Sequence, residues 1–252
     1  MKQLIISLTV IFVTGIFSCN KKQVHSPYLI QTTAIVDITD PLRLYPDADA
    51  ILRLYGFDKD KDREAFFRLC LITDKQLNQM EDFHLPDGYT TEANNRFDDP
   101  QYRQKTILLF YKALHKALSD FTTLHNKDLS LKHSECFKTV AEQLTNMKRK
   151  HADENTLIIF SDIHENSDLF SSYTKKGKDS LYSSPEKVTA IFEKTRLLPD
   201  DLKGFNIFFV YEPKSREDDK VYVSMVSIYR VMLEKRGARV TVQASSKNYT
   251  NE

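Results

Sequence analysis

Two short, largely apolar runs constrain the fold of this chain most strongly. Residues 156–160 read TLIIF and residues 205–211 read FNIFFVY. A strand without polar alternation is typical of a sheet whose two faces are both covered, as in parallel α/β sheets. Amphipathic helical patterns follow each run, at residues 185–196 and 221–236. The sequence therefore predicts a parallel sheet with helices on both faces.

The rest of the chain extends this pattern. Further strands are predicted at residues 32–38, 65–73, 77–85 and 239–244, and further helices at residues 49–54, 102–124 and 134–150. The polar residues 74–76 form the turn of a hairpin, which adds one antiparallel edge strand. The expected fold is a three-layer αβα sandwich with a mainly parallel six-stranded sheet that carries this antiparallel edge strand.

Two local signals define the start and the buried face of the helix predicted at residues 185–196. Ser184 and Pro185 mark its start, with a capping hydroxyl followed by proline at the first helical position. Val188, Ile191 and Phe192 are expected to face the core because they recur at helical spacing.

The overall charge is nearly balanced, with 36 Lys and Arg against 35 Asp and Glu. A balanced chain lacks the overall attraction typical of a nucleic-acid binder, so no nucleic-acid partner is expected. Glycine is scarce, at 6 residues, which argues against Gly-rich loops for a small-molecule cofactor. No Gly-x-Ser-x-Gly, His-Glu-x-x-His or Cys-x-x-Cys motif occurs. The chain is therefore expected to bind a partner rather than to act as an enzyme.

The N-terminus has the pattern of an export signal. Residues 4–17 are largely apolar behind Lys2, and Ser18 and Cys19 follow. This length suits a signal peptide and is short for a membrane span. The segment resembles the bacterial lipobox, although Phe17 is bulky for its position. The alternative is an uncleaved anchor or an ordinary signal peptide with a chance cysteine. The resemblance implies cleavage before Cys19, lipidation of Cys19 by acyl chains such as palmitate, and attachment to the periplasmic or surface face of a membrane.

These observations divide the chain into four parts. They are a lipoprotein signal peptide (residues 1–18), a tether (19–30), one α/β domain (31–245) and a frayed tail (246–252). Within the domain, Cys70 and Cys136 either form a disulfide, which an oxidising compartment would allow, or remain two buried free thiols.

Two acidic segments follow predicted strands. The first contains Asp37 and Thr39, and the second contains Ser161 and Asp162. Ligands of open α/β sheets bind at the carboxyl ends of strands, so both segments are expected to meet at one edge of the sheet. Their carboxylates and hydroxyls suit Mg²⁺ or another divalent cation, which prefers oxygen ligands. The alternative is that these carboxylates only cap loop amides.

The segment LIIFSDIHEN and the first acidic segment resemble a von Willebrand factor type A domain over residues 31–245. In that family an Asp-x-Ser-x-Ser loop, a middle Thr and a later Asp form a metal-ion-dependent adhesion site. The resemblance implies metal ligands at Asp37, Thr39 and Asp162, with Ser134 as the best positional counterpart of the middle Thr. Pro41 replaces the second Ser, so a degenerate site is the open alternative.

Two other motifs suggest metal chemistry. Asp162-x-His164 resembles the start of calcineurin-like metallophosphoesterases, but the Gly-Asp pair and further His residues that this family needs are missing downstream. His164 is therefore interpreted as an exposed loop residue. Asp58, Asp60 and Asp62 are spaced like the start of an EF-hand, but Arg63 stands where Gly is required, so a solvated turn is expected.

The expected function is that of a membrane-anchored cell-envelope binding protein that grips a protein partner. Its binding would depend on a divalent metal if the site is intact. The first alternative is a structural or assembly lipoprotein with a degenerate metal site, and the remote alternative is a metal-dependent phosphoesterase.

Overall fold

A computed structural model describes residues 28–39, 41–72, 80–88, 100–124 and 134–249. The strands are β1 (Leu29–Asp37), β2 (Glu64–Ile72), β3 (Met80–Leu85), β4 (Glu154–Phe160), β5 (Phe205–Val210) and β6 (Arg239–Gln243). The helices are α1 (Ala48–Arg53), α2 (Pro100–Leu124), α3 (Cys136–Arg149), α4 (Lys175–Ser183), α5 (Pro185–Lys194) and α6 (Arg216–Glu234).

The six strands form one sheet in the order β3-β2-β1-β4-β5-β6. All neighbours are parallel except β3, which runs antiparallel to β2 at the edge. Helices flank the sheet, and the fold is a Rossmann-like three-layer sandwich. The predicted fold class is confirmed, including the single antiparallel edge strand.

Each face of the sheet packs into its own apolar core. Leu157 and Ile159 of β4 lie in the core formed with α3, α5 and α6, whereas Ile158 and Phe160 lie in the core formed with α1 and α2. Successive side chains of a strand point to opposite faces, so an apolar run is favoured where both faces are covered. Burying each such side chain contributes about 1.5–3 kcal/mol.

One helix was missed by the sequence prediction, and another begins five residues earlier than predicted. The polar helix α4 was not predicted, and it buries little besides Gly177 and Leu181. Helix α6 begins at Arg216 rather than at residue 221. Its first turn is acidic and is capped by the Ser215 hydroxyl, which accepts a hydrogen bond from the Asp218 N–H. An apolar pattern begins only after such a turn, because capping residues and first-turn carboxylates are polar.

Two details of the α5 prediction are wrong. Pro185 does begin the helix, but the Ser184 side chain makes no capping hydrogen bond. Ile191 is 38% exposed, while Val188 and Phe192 are fully buried. Adjacent residues of a helix are rotated by about 100°, so a face defined by Val188 and Phe192 turns Ile191 toward its margin.

Residues 246–249 pack against the domain, whereas the sequence predicted a frayed tail. The side chain of Tyr249 is buried, and its ring packs edge-on against Phe208 of β5 with centroids 5.5 Å apart. Arg53 donates a hydrogen bond to the Lys247 carbonyl at 2.7 Å. The described end of the chain therefore completes the core on the α1–α2 face.

The remaining predictions divide between the described and undescribed parts of the chain. Cys70 and Cys136 are buried free thiols, which excludes the disulfide alternative. Asp58, Asp60 and Asp62 lie in a turn before β2. The signal peptide, Cys19, the tether up to residue 27, Asp40, the turn at residues 74–76 and residues 250–252 lie outside the described residues.

Among the helices that the structure describes, none is long and apolar enough to cross a membrane.

Candidate functional site

The candidate site lies where β1 and β4 end side by side. These strands pair in parallel, with Val36 opposite Phe160, so Asp37 and Ser161 follow at the same edge. The prediction that the two acidic segments meet there is confirmed. This carboxyl edge of the sheet is also where ligands bind in open α/β folds.

The Asp37 carboxylate is almost completely buried and accepts hydrogen bonds on both oxygens. Its Oδ1 accepts from the Thr39 N–H at 2.9 Å and from the Thr39 hydroxyl at 2.6 Å. Its Oδ2 accepts from the Ser161 hydroxyl at 2.8 Å and, more weakly, from the Ser134 hydroxyl at 3.4 Å. Three of the four predicted metal ligands, namely Asp37, Thr39 and Ser134, therefore come together around one carboxylate.

Ser134 reaches this position because its backbone pairs with the loop after β4. The Asn166 N–H donates to the Ser134 carbonyl at 2.9 Å, and the Ser134 N–H donates to the Asn166 carbonyl at 3.3 Å. This bridge also brings the start of α3 to the edge, where the Cys136 thiol lies 3.4 Å from Asp37 Oδ2. Burial, and then the charge of Asp37, raises the pKa of Cys136, so this thiol stays protonated and is a poor nucleophile.

Glu165 stabilises the first turn of α3. The Phe137 N–H donates to Glu165 Oε2 at 2.9 Å, which supplies one of the acceptors that a helix start needs. Burial raises the pKa of Glu165 to about 7, although the nearby Ser167 hydroxyl and the Phe137 N–H act in the opposite direction. Glu165 is thus a further buried carboxyl group at this edge, in addition to Asp37 and Asp162.

Asp162, the fourth predicted ligand, belongs to a different group of side chains. Its Oδ1 accepts from the His164 N–H at 2.9 Å, and its Oδ2 lies 3.8 Å from His164 Nδ1. On the other side of the imidazole, Asp218 Oδ1 lies 3.6 Å from His164 Nε2. The ring is therefore flanked by two carboxylates.

His164 does not lie in an exposed loop, as the sequence interpretation held. Only 13% of its side chain is exposed, and its ring packs edge-on against Tyr173 with centroids 5.3 Å apart. The backbone turns at Ile163, which has a φ of 48° and a fully buried side chain. A β-branched residue rarely adopts this conformation, and its cost is of order 1–3 kcal/mol. The Ser161 hydroxyl stabilises the turn by accepting the Ile163 N–H at 2.7 Å.

Asp218 comes from the first turn of α6. Its Oδ2 accepts from the Tyr211 hydroxyl at 2.8 Å and from the Lys214 N–H at 2.6 Å, so its other oxygen faces His164. Sequence reasoning missed this residue because no motif contains it. The available signal was a Ser followed by acidic residues after strand β5, which is typical of a helix start at the same edge of the sheet.

A search of protein-family models and of curated protein sequences finds no match to this chain. The site is therefore interpreted from its own chemistry.

Within the described residues, Asp162, His164 and Asp218 form one group that could hold a metal ion. One possible ligand atom from each residue lies within 4.8 Å of the other two. Carboxylate oxygens and an imidazole nitrogen are common ligands of divalent cations. The Asp37 cluster offers only oxygen and sulfur atoms that are already engaged with one another.

Proposed function

We propose that this protein is a lipid-anchored binding protein of the bacterial cell envelope. In this proposal the carboxyl edge of the sheet recognises a protein partner, and a divalent cation held there takes part in recognition. The fold supports this placement because the edge presents polar side chains from several loops on a rigid sheet.

One observation carries the proposal. Asp37, Thr39 and Ser134 come from separate positions that the resemblance to von Willebrand factor type A domains assigned to a metal-dependent adhesion site. They lie around one carboxylate, with Ser134 Oγ 3.4 Å and Thr39 Oγ1 2.6 Å from its oxygens. The Ser134 contact joins residues 97 positions apart in the chain, whereas Thr39 is a near neighbour of Asp37.

The same observation bears on the first alternative, a structural or assembly lipoprotein with a degenerate metal site. Pro41 stands where the family has its second Ser, and the Asp37 oxygens accept internal hydrogen bonds. We infer that the Asp37 cluster mainly organises the edge, and that Asp162 is the predicted ligand that faces a bound cation.

The direct test is recovery of an envelope partner by the full-length chain, with added divalent metal and with chelator. We expect recovery to fall with chelator and with Asp162→Ala. Asp168→Ala is the matched control, because Asp168 is an exposed acidic residue of the same loop. Recovery that is indifferent to both the chelator and Asp162→Ala would instead favour the structural lipoprotein.

A phosphoesterase remains the second candidate because Asp162 and His164 meet a third ligand, Asp218, that the sequence motif did not reveal. A metal held by these residues could activate water for hydrolysis. The binding proposal predicts no turnover of phosphomonoesters or phosphodiesters above that of His164→Asn, with Mn²⁺, Zn²⁺ or Mg²⁺ present. Metal-dependent turnover lost in that variant would establish the enzyme instead.

A further inference from the structure

We propose that Asp162, His164 and Asp218 form a binding site for a divalent transition-metal ion, distinct from the Asp37 cluster that family resemblance indicates. The role of the ion rests on the proposed function, whereas the site itself rests on its own geometry. Asp162 and His164 come from the loop after β4, and Asp218 comes from the first turn of α6. The two carboxylates meet at the imidazole of His164.

The two carboxylates approach the imidazole beside different ring nitrogens, Asp162 beside Nδ1 and Asp218 beside Nε2. Each has one oxygen held by a donor of the protein, since Asp162 Oδ1 accepts the His164 N–H and Asp218 Oδ2 accepts the Tyr211 hydroxyl. The second oxygen of each carboxylate is directed toward the imidazole, at 3.8 Å and 3.6 Å. Such outer hydrogen bonds fix the direction of ligands in metal sites and tune their affinity.

The charge of the group also favours a cation. The side chains of Asp162, His164 and Asp218 are 4%, 13% and 14% exposed. Two carboxylates and one imidazole carry a net negative charge whether or not the ring is protonated. A divalent ion would offset this charge in a largely buried group.

An independent observation is the buried hydroxyl of Tyr222. This side chain is 3% exposed, and its hydroxyl has no hydrogen-bond partner among the described residues. Buried hydroxyls are nearly always hydrogen-bonded to protein or to a bound species. An acceptor bound beside the described residues would supply the missing partner.

Tyr222 belongs to the same helix as Asp218 and packs beside Tyr211. Tyr222 lies one helical turn after Asp218, and side chains on a helix lean toward its N-terminus. Its ring packs against Tyr211, the donor to Asp218, with centroids 4.9 Å apart. Burial and then the charge of Asp162 raise the pKa of Tyr222. In this proposal a water molecule on the bound ion would be the acceptor for this hydroxyl.

The imidazole determines which ions are expected. Mg²⁺ and Ca²⁺ prefer oxygen ligands, whereas nitrogen ligands favour later first-row metals. The site should therefore bind Zn²⁺ more tightly than Mn²⁺, and Mn²⁺ more tightly than Mg²⁺. The adhesion-type site of oxygen ligands would not show this dependence on a histidine.

The experiment measures binding of Zn²⁺, Mn²⁺, Mg²⁺ and Co²⁺ alone to the purified full-length chain after chelator treatment. Calorimetry gives affinities, and the visible absorption of Co²⁺ reports nitrogen ligation. We expect one Zn²⁺ or Co²⁺ per chain, and loss of both binding and colour in His164→Asn and Asp218→Asn. Tyr211→Phe keeps all three ligands and should weaken binding by roughly 10- to 100-fold.

His115→Asn is the matched control, because His115 also contacts a carboxylate, Asp49 at 2.9 Å, but is half exposed. It should bind metal like the wild type. Circular dichroism and the melting temperature establish that each variant is folded. The inference is overturned if the folded wild type binds no transition metal, if His164→Asn and Asp218→Asn bind like the wild type, or if Mg²⁺ binds as tightly as Zn²⁺. Metal binding without recovery of a partner would contradict the proposed function and leave this site standing.

Discussion

The Ser161 hydroxyl donates a hydrogen bond to Oδ2 of Asp37 at 2.8 Å, although 124 residues separate the two in the chain. The same hydroxyl accepts the Ile163 N–H at 2.7 Å. Ser161 therefore joins the ends of β1 and β4 and also supports the turn that carries Asp162 and His164.

We predict that Ser161→Ala lowers the free energy of unfolding by about 2 kcal/mol. The variant removes a close donor to the buried Asp37 carboxylate and the acceptor of the Ile163 N–H. Hydrogen bonds of this kind contribute about 1–3 kcal/mol. Urea denaturation measures the change. Ser183→Ala is the control, since the exposed Ser183 hydroxyl bonds only within its own helix. Equal stabilities of the two variants would refute the structural role of Ser161.

The end of the described chain should contribute to stability. We predict that Tyr249→Ala lowers the free energy of unfolding by about 3 kcal/mol, because it removes a buried ring that packs on Phe208. Tyr249→Phe keeps the ring, and the hydroxyl it removes has no hydrogen-bond partner among the described residues. This control should therefore be as stable as the wild type or more stable. If Tyr249→Ala unfolds at the wild-type urea concentration, residues 246–249 contribute nothing to the core.

The Glu193–Arg236 pair should produce a pH-dependent term in stability. Arg236 donates to both Glu193 oxygens, at 2.7 Å and 2.6 Å, and these hydrogen bonds hold the pKa of Glu193 below its ordinary value of 4.5. A carboxyl group whose folded pKa is lowered stabilises the fold above its unfolded pKa, and this contribution is lost as the pH falls through the folded pKa.

We therefore predict that Glu193→Gln costs about 1 kcal/mol at neutral pH, and that its difference from the wild type shrinks below about pH 4.5. Urea denaturation at several pH values gives both quantities. Glu212→Gln is the control, because Glu212 contacts Arg43 in a half-exposed pair. A constant difference between Glu193→Gln and the wild type down to about pH 3 would contradict this account.

Membrane attachment should depend on a single cysteine. We predict that the full-length chain expressed in a bacterium incorporates labelled palmitate and sediments with membranes, and that Cys19→Ser does neither. Several acyl chains on one residue anchor stably because each buried methylene contributes about 0.8 kcal/mol. Cys70→Ala is the control, since Cys70 is a buried thiol of β2. Palmitate incorporation that persists in Cys19→Ser would reject the lipobox resemblance.

The sequence predicted much of the fold because the signals are local and periodic. The apolar run of β4 and the 3.6-residue pattern of α3 each record which faces are buried. Helix α4 was not predicted because it is mostly polar. The burial of Tyr249 was not predicted because the local sequence does not show whether a terminal residue packs on the core or lies in solvent. Those features depend on what the rest of the chain places beside them.

The sequence by itself determined that polar loops follow strands β1 and β4, and therefore that Asp37 and Asp162 would reach one edge of the sheet. Only the tertiary structure decided how the side chains group there. Asp37 turns toward Ser161, Thr39 and Ser134, while Asp162 groups with His164 and with Asp218 from a helix that begins more than fifty positions later in the chain. The physical reason is that strand order and pairing place loops next to each other, whereas hydrogen bonds and burial, which depend on distant residues, fix where each side chain points.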